Sequence, residues 1–233
     1  MTSYDPARRE IVETAQSLVA KGYLMATGGN LSVRVAGAHA FAITPSNYDY
    51  LLMTPEDVCI LGLDLTCLAG ARQPSVEAAM HAAVYRVRPD VQAILHTHQV
   101  YTSALALIRA PIPALFDEQV RFLGRRVAVI PYAPSGTGML RDTIARHVRD
   151  HNNAYMLANH GALVFGHDML RAVHNVELLE KCALAYLLAL TTERRVSRIP
   201  LVVRELAFAR LRADQKKFAA PQAAGPAAEK EQA

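Results

Sequence analysis

Three of the nine histidines in this chain stand where they could share a metal ion. His96-Thr97-His98 follows the apolar run Ala93-Ile94-Leu95. In an extended strand, residues two apart face the same side, so the two imidazoles aim at one point. That is how a strand presents two nitrogen ligands to a cation of the Zn, Mn, Fe or Co kind. The plainer alternative is a pair of hydrogen-bonded histidines at a strand end. His160 closes a second apolar run, beginning at Ala154 and ending in Asn159, and Gly161 follows at once. A strand that stops in a polar residue and then a glycine is where α/β proteins place ligands. Three neutral imidazoles leave a coordination position for water or substrate.

Glu77 is the carboxylate to set beside them. It lies two residues after Ser75, at the start of a predicted helix. The exposed N–H groups and dipole of a helix start favour a negative charge there. The functional alternative is a general base or a fourth ligand. His81 falls four residues on, on the same helical face, and reads as hydrogen-bonding support for the site rather than as a ligand. Two loops of small polar residues, 27–32 and 44–47, carry Asn30, Ser46 and Asn47. Glycine lets backbone N–H groups approach an anion closely, although ordinary turns use the same residues. The remaining histidines, at 39, 147, 151, 167 and 174, read as surface or turn residues.

These residues need a frame, and the pattern of the chain supplies one. Asp5-Pro6 reads as an N-cap followed by proline at the first helical position. Ile11, Ala15, Leu18 and Val19 make the apolar stripe, and Gly22 stops it. Strands are predicted over 30–35 and 40–44 around a turn at Gly37, and again over 60–65. Thr54-Pro55-Glu56-Asp57 has the form of a helix start, and Ser75 that of a cap for a helix to about 87. Residues 93–96 read as a buried strand, 100–107 as a helix, 126–132 as a strand, 140–149 as a helix and 154–157 as a strand. Asp168 caps a long helix to about 190, and 203–218 is a further helical stretch. The alternation describes one α/β domain over residues 1–218. Residues 219–233 are Ala, Pro, Gln, Lys and Glu with little to bury, the composition of a disordered tail.

Composition excludes several classes of function. With 233 residues, 52% hydrophobic and 20% charged, the chain can bury a full-sized core. Its apolar runs fall well short of the ~20 residues that span a bilayer, and its first ten residues lack the basic-then-apolar order of a signal peptide. Cys59, Cys67 and Cys182 form neither a CxxC pair nor an even set, which suits buried thiols in a reducing cytoplasm. The net charge of +4 is scattered rather than gathered on one face, so neither nucleic acid nor membrane is an expected partner. A small molecule is.

Taken together, the motifs resemble those of the class II aldolase/adducin superfamily. The likeness runs from about residue 11 to residue 190. It includes Gly29-Asn30-Leu31-Ser32, Ile43-Thr44-Pro45-Ser46, Pro74-Ser75-Val76-Glu77, His96-Thr97-His98 and Asn159-His160-Gly161, in the family's order and spacing. The resemblance implies a three-layer α/β/α domain with a central, mostly antiparallel sheet. It implies a homotetramer with active sites between neighbouring subunits. It also implies one divalent metal per subunit on His96, His98 and His160, with Zn the first expectation and Mn, Fe or Co the alternatives. Glu77 would approach the metal and exchange protons with substrate. Asn30, Ser46, Asn47 and Ser75 fall where sugar-phosphate members bind phosphate.

Two departures bear on substrate. Asn47 stands where those members carry glycine, and Val76 where they carry a second serine, so strict phosphate dependence is not expected. Where the family bears a tyrosine loop, this chain reads Leu115-Phe116-Asp117-Glu118, and Glu118 is a further candidate acid/base. The chemistry implied is carbon–carbon cleavage of a small hydroxy-carbonyl compound, leaving an enediolate whose charge a Lewis acid stabilises. Aldol cleavage is the first reading and decarboxylation of a hydroxylated or aromatic acid the second. A non-catalytic module like the adducin head, which lacks the metal site, is disfavoured because all three histidines and Glu77 are present.

Overall fold

The structure, a computed structural model, describes residues 4–219. Part of the expected tail, 220–233, lies outside the described residues. The first helix, α1 (Asp5–Ala20), buries Ile11, Ala15 and Leu18. Asp5 opens the helix rather than capping it. Tyr4 is the cap residue, and the Asp5 charge sits in the first turn, where the helix dipole favours it. Gly22, at φ +74°, ends α1 in the left-handed turn that glycine tolerates. The Tyr23 and Gly22 N–H groups return to Leu18 and Val19 carbonyls. That stop leaves the Tyr23 carbonyl to accept the His98 N–H at 3.3 Å.

Eight strands follow: β1 (Asn30–Arg34), β2 (Ala40–Ile43), β3 (Cys59–Gly62), β4 (Cys67–Ala69), β5 (Ala93–Thr97), β6 (Ala128–Ile130), β7 (Ala154–Leu157) and β8 (Gly161–Gly166). They form one sheet in the order β4-β3-β2-β1-β5-β8-β7-β6. Every pairing is antiparallel except β6 with β7. The remaining helices are α2 (Ala78–Val87), α3 (Val100–Leu107), α4 (Asp117–Phe122), α5 (Gly138–His147), α6 (Met169–Leu190) and α7 (Leu201–Phe218).

Side-chain alternation divides the core into two layers. On one face Leu31, Val33, Leu95 and Val164 pack with Ile11 and Leu18 of α1, Leu105 of α3 and Val176 and Leu179 of α6. On the other, Ile43, Ile94, Leu163 and Phe165 pack with Met80 and Val84 of α2 and Leu140 and Ile144 of α5. Each fully buried side chain of this size contributes about 1.5–3 kcal/mol. A smaller cluster joins α4 to α7 through Val120, Phe208 and Leu211. The result is the three-layer α/β/α domain with a mostly antiparallel sheet that the motifs implied.

Several elements differ from the sequence reading. Residues 54–57 make a single 3-10 turn, in which Thr54 and Asp57 cap each other, and Val58 then turns to extended backbone. The strand expected over 60–65 ends at Gly62, because Asp64 bonds Thr66 and Leu65 takes φ +74° to turn the chain into β4. Strand β8 and helix α4 have no counterpart in that reading.

Helix α2 begins directly after Glu77, and its far end is held by Arg88. This guanidinium is fully buried, forms a two-pronged pair with Asp90 at 2.9 and 2.7 Å, and donates to the Val148 and Asn152 carbonyls. Removing one partner of a buried pair leaves the other uncompensated, which costs about 3–5 kcal/mol. Arg88→Met should therefore lower the stability to chemical denaturation by about that amount. A change below about 1 kcal/mol, the range of an exposed pair, would show that the buried pair does not tether α2.

Candidate metal centre

The geometry of the centre begins with the sheet register. Asn30 of β1 lies opposite His96 of β5, and Thr97 lies opposite Ala162 of β8. Two glycines permit that close approach. A Cβ on Gly29, at φ +81°, would fall 2.6 Å from the His96 carbonyl oxygen. One on Gly161 would fall 2.5 Å from the Thr97 oxygen and 2.6 Å from the His98 ring. Gly29 is thus required by packing against β5, not by an anion alone. The Tyr50 hydroxyl pins the same loop by donating to the Gly29 carbonyl at 2.6 Å.

His96 is fully buried, and its Nδ1 donates to the Ala162 carbonyl at 2.8 Å. That bond fixes the tautomer and leaves a lone pair on Nε2. His98 Nε2 is 3.1 Å from this atom and His160 Nε2 is 3.2 Å from it. His160 arrives on the tight turn between β7 and β8, where Asn159 takes φ +56°. A tetrahedral ion with bonds of ~2.0–2.1 Å holds its donors about 3.3 Å apart. Both separations from His96 match that spacing, all three donor nitrogens lie within 4.8 Å of one another, and their chemistry also suits a small divalent cation. Burial, against Glu77 and together with His160 and His98, pushes the His96 imidazole down to about 4. Burial is also the first cause lowering His98. Neutral imidazole is the form that ligates.

Glu77 completes the cluster. Its Oε2 lies 3.3 Å from His96 Nε2 and its Oε1 lies 3.3 Å from His160 Nε2. It occupies the N-cap position of α2, since the helix begins one residue after it, yet its side chain caps nothing. Instead Asn30 Nδ2 donates to Oε2 at 2.8 Å and Ser135 Oγ donates to Oε1 at 2.6 Å. Burial raises the Glu77 carboxyl, but His96, the Ser135 and Asn30 hydrogen bonds and His160 outweigh it and hold the group down to about 2. The helix-start explanation for this carboxylate is thereby replaced by a set of specific partners.

The predicted anion residues gather beside these groups. Asn30, Ser46, Asn47 and Ser75 line one cleft of about 230 Å³ with Glu77, His96, His98 and His160. Ser75 Oγ accepts the Glu77 N–H at 3.3 Å. Asn47 takes φ +49°, the conformation a glycine would adopt, and its Oδ1 accepts a hydrogen bond from Thr27 Oγ1 at 3.1 Å. Glu118 is elsewhere. It sits on α4, paired with Lys181 at 3.6 Å, and is not among the residues lining the cleft. Ser135 is the participant that sequence reading missed; its loop, Pro134-Ser135-Gly136-Thr137, resembles any turn that leads into a capped helix. A larger hollow of about 300 Å³ between α4, α6 and α7 has no converging imidazoles, so the chemistry belongs to the smaller cleft.

The fold and this arrangement define a member of a metal-dependent enzyme class, and comparison with known proteins agrees. The family described as Class II Aldolase and Adducin N-terminal domain matches residues 9–187, and the chain belongs to it. It is 36% identical to a 5-deoxy-D-ribulose 1-phosphate aldolase of Bacillus thuringiensis serovar kurstaki, over 77% of this chain and 83% of the relative. It is 31% identical to a 3-oxo-tetronate 4-phosphate decarboxylase of Haemophilus influenzae, over 77% of this chain and 86% of the relative. Among solved structures, an L-fuculose 1-phosphate aldolase superposes with a TM-score of 0.84 at 32% identity, covering 91% of this chain and 98% of the other.

Proposed function

We propose that this protein is a divalent-metal-dependent carbon–carbon lyase that cleaves a small hydroxy-carbonyl compound in the manner of an aldolase. The observation that carries the reading is the convergence of His96, His98 and His160 on one point, with the Glu77 carboxylate 3.3 Å from two of them. His96, His98 and His160 hold the cation, with Zn the first candidate for this nitrogen donor set. When bound, the cation polarises the carbonyl and neighbouring hydroxyl of the substrate and stabilises the negative charge left by bond cleavage.

The chain's own residues do the rest. Glu77 exchanges the proton, taking it from the substrate hydroxyl or returning one to carbon. Asn30 and Ser135 keep its two oxygens separately oriented, and Ser46, Asn47 and Ser75 receive the substrate's polar or anionic end. Decarboxylation is the second reading. It is supported by the decarboxylase relative and uses the same groups, with carbon dioxide rather than an aldehyde departing.

Phosphate recognition follows from two positions. Asn47 keeps a glycine-like backbone and turns its side chain to Thr27, so the steric objection to phosphate at this residue is weak. Val76 lines the cleft with no hydroxyl to donate. One lost hydrogen bond to a charged group weakens binding roughly 10- to 100-fold. Phosphate therefore assists binding without being required. Assembly as a homotetramer is supported by the family and by the exposed apolar residues Leu201, Val202 and Leu206 of α7. Glu118 lies beside that same surface, so an acid/base part for it belongs to a neighbouring subunit's cleft. Among the described residues no helix is long and apolar enough to cross a membrane, and we place the enzyme in the cytoplasm.

Three measurements test this reading. Glu77→Gln should keep stoichiometric metal and lose about 100- to 10,000-fold in kcat, the range of a positioned acid/base, while His96→Ala should lose the metal. Full activity in Glu77→Gln would leave this carboxylate a structural role only. Matched phosphorylated and unphosphorylated hydroxy-carbonyl compounds, assayed for aldehyde and for carbon dioxide, should both turn over. Strict dependence on phosphate would show that the loss of a hydroxyl at Val76 carries no weight. Light scattering at micromolar concentration should give four times the chain mass, and a monomer would remove the shared site.

A further inference from the structure

Behind Glu77 a line of buried polar groups runs from the cleft into the layer between α2 and the sheet. Asn30 Nδ2 donates to Glu77 Oε2, and the other end of the same amide, Oδ1, lies 2.6 Å from His81 Nε2. His81 Nδ1 is 2.7 Å from Ser32 Oγ, which is 2.8 Å from the Tyr85 hydroxyl. His81 and Ser32 are wholly buried, and Asn30 and Tyr85 nearly so. The proposed reaction uses Glu77 and Asn30 and leaves His81 without a part.

The direction of every bond in the line follows from one end. Both Glu77 oxygens accept, Oε1 from Ser135 and Oε2 from Asn30, so Asn30 turns its NH₂ toward Glu77 and its oxygen toward His81. That oxygen also only accepts, so His81 Nε2 must carry the hydrogen. Burial, the first cause, with His96 and against Glu77, pushes His81 down to about 3, so the ring is neutral and has one N–H. Its Nδ1 is then a lone pair, which the Ser32 hydroxyl must fill, and the Tyr85 hydroxyl in turn donates to Ser32 at 2.8 Å in preference to the Gln92 carbonyl at 3.4 Å. Reversing any link sets two acceptors or two donors face to face. The weak link is the amide itself, because the two ends of an asparagine side chain have nearly the same shape. Without a donor behind it, Asn30 can rotate and present oxygen to oxygen at Glu77.

We propose that His81 is a positioning residue: its Nε2–H locks the Asn30 amide so that the N–H faces Glu77 and holds the carboxylate toward the three imidazoles. The effect on turnover rests on the proton-transfer role proposed for Glu77. The orientation of His81 and Asn30 does not.

Two arms test it. In ¹⁵N-labelled wild-type protein at neutral pH, a long-range proton–nitrogen correlation spectrum should show His81 neutral and protonated on Nε2, with the signal assigned by its loss in His81→Gln. Protonation on Nδ1, or on both nitrogens, overturns the proposal whatever the activity. The second arm compares two amides in place of the ring. His81→Gln puts a donor near the position of Nε2, and should keep kcat within about 3-fold of wild type, less than the tenfold of one lost interaction. His81→Asn reaches Ser32 but falls short of Asn30, and should lose about 10- to 100-fold in kcat, the factor of a lost hydrogen bond to a charge-linked network. KM and metal content should be unchanged in both. Equal kcat in the two variants, or losses that track their melting temperatures, overturns the proposal in favour of plain packing. If the wild type itself shows no lyase turnover, the functional reading fails and the spectrum alone decides the role of His81.

Discussion

The pairing that sets Asn30 opposite His96, and His96 in turn opposite Leu163, governs everything else at the centre. Strand side chains alternate with a period of two, so a slip of one residue would turn His96 into the opposite core and bring an aliphatic side chain into the cleft. Three things oppose such a slip. Leu31, Val33 and Leu95 are committed to the α1/α6 layer and Ile94 and Phe165 to the α2/α5 layer. Gly29 and Gly161 allow close backbone approach at their present places, where neighbouring atoms leave no room for a Cβ. The tautomer of His96 also depends on reaching the Ala162 carbonyl, which a shifted β8 would withdraw.

With the register fixed, the electrostatic problem is a nearly buried carboxylate surrounded by imidazoles. An isolated charge in such a place would take up a proton instead of staying ionised. Glu77 stays ionised because His96 lies beside it and each oxygen has its own donor, Ser135 on one and Asn30 on the other. His96 and His98, by contrast, are driven toward neutrality by burial. One carboxylate and three converging imidazole nitrogens make a cluster rich in potential donors to a metal, to which a divalent cation is the complement. A hydrogen-bonded core of satisfied histidines would not bring three ring nitrogens to such short separations around a carboxylate.

How much of this was legible in the sequence depends on whether a signal is local. His96-Thr97-His98 was readable because strand period alone places both rings on one side. The layer pattern of the helices was readable for the same reason, and Asp168 caps α6 as its residue type suggests. Glu77 was ambiguous, because a carboxylate that begins a helix looks the same whether it meets backbone N–H groups or Asn30 and Ser135. His160 reads as a strand end from its neighbours, but no local signal shows that the chain turns straight back as β8. Gly161–Gly166 is short, apolar and bounded by glycines, which is also how a buried turn reads. Ser135 was out of reach because it comes from a loop 58 residues away from its partner. Glu118 lies outside the cleft of its own chain, since proximity to a family motif in sequence does not fix where the fold carries a side chain.

Helix α2 ties stability and chemistry into one element. At its first turn stands Glu77, facing the imidazoles. Along its length His81 and Tyr85 face β1, and just past its end Arg88 is locked to Asp90 and to the 148–152 turn. The helix is only ten residues long, too short to hold its shape alone in water. Its position is therefore set by contacts at both ends, and local opening of one end would release the other. A rigid carboxylate at the cleft requires the Arg88 anchor some 11 residues away just as it requires Asn30 beside it. The buried ion pair contributes nothing to the reaction directly. It fixes the helix on which the Glu77 carboxylate is mounted, and the polar line through His81 then fixes that group's orientation.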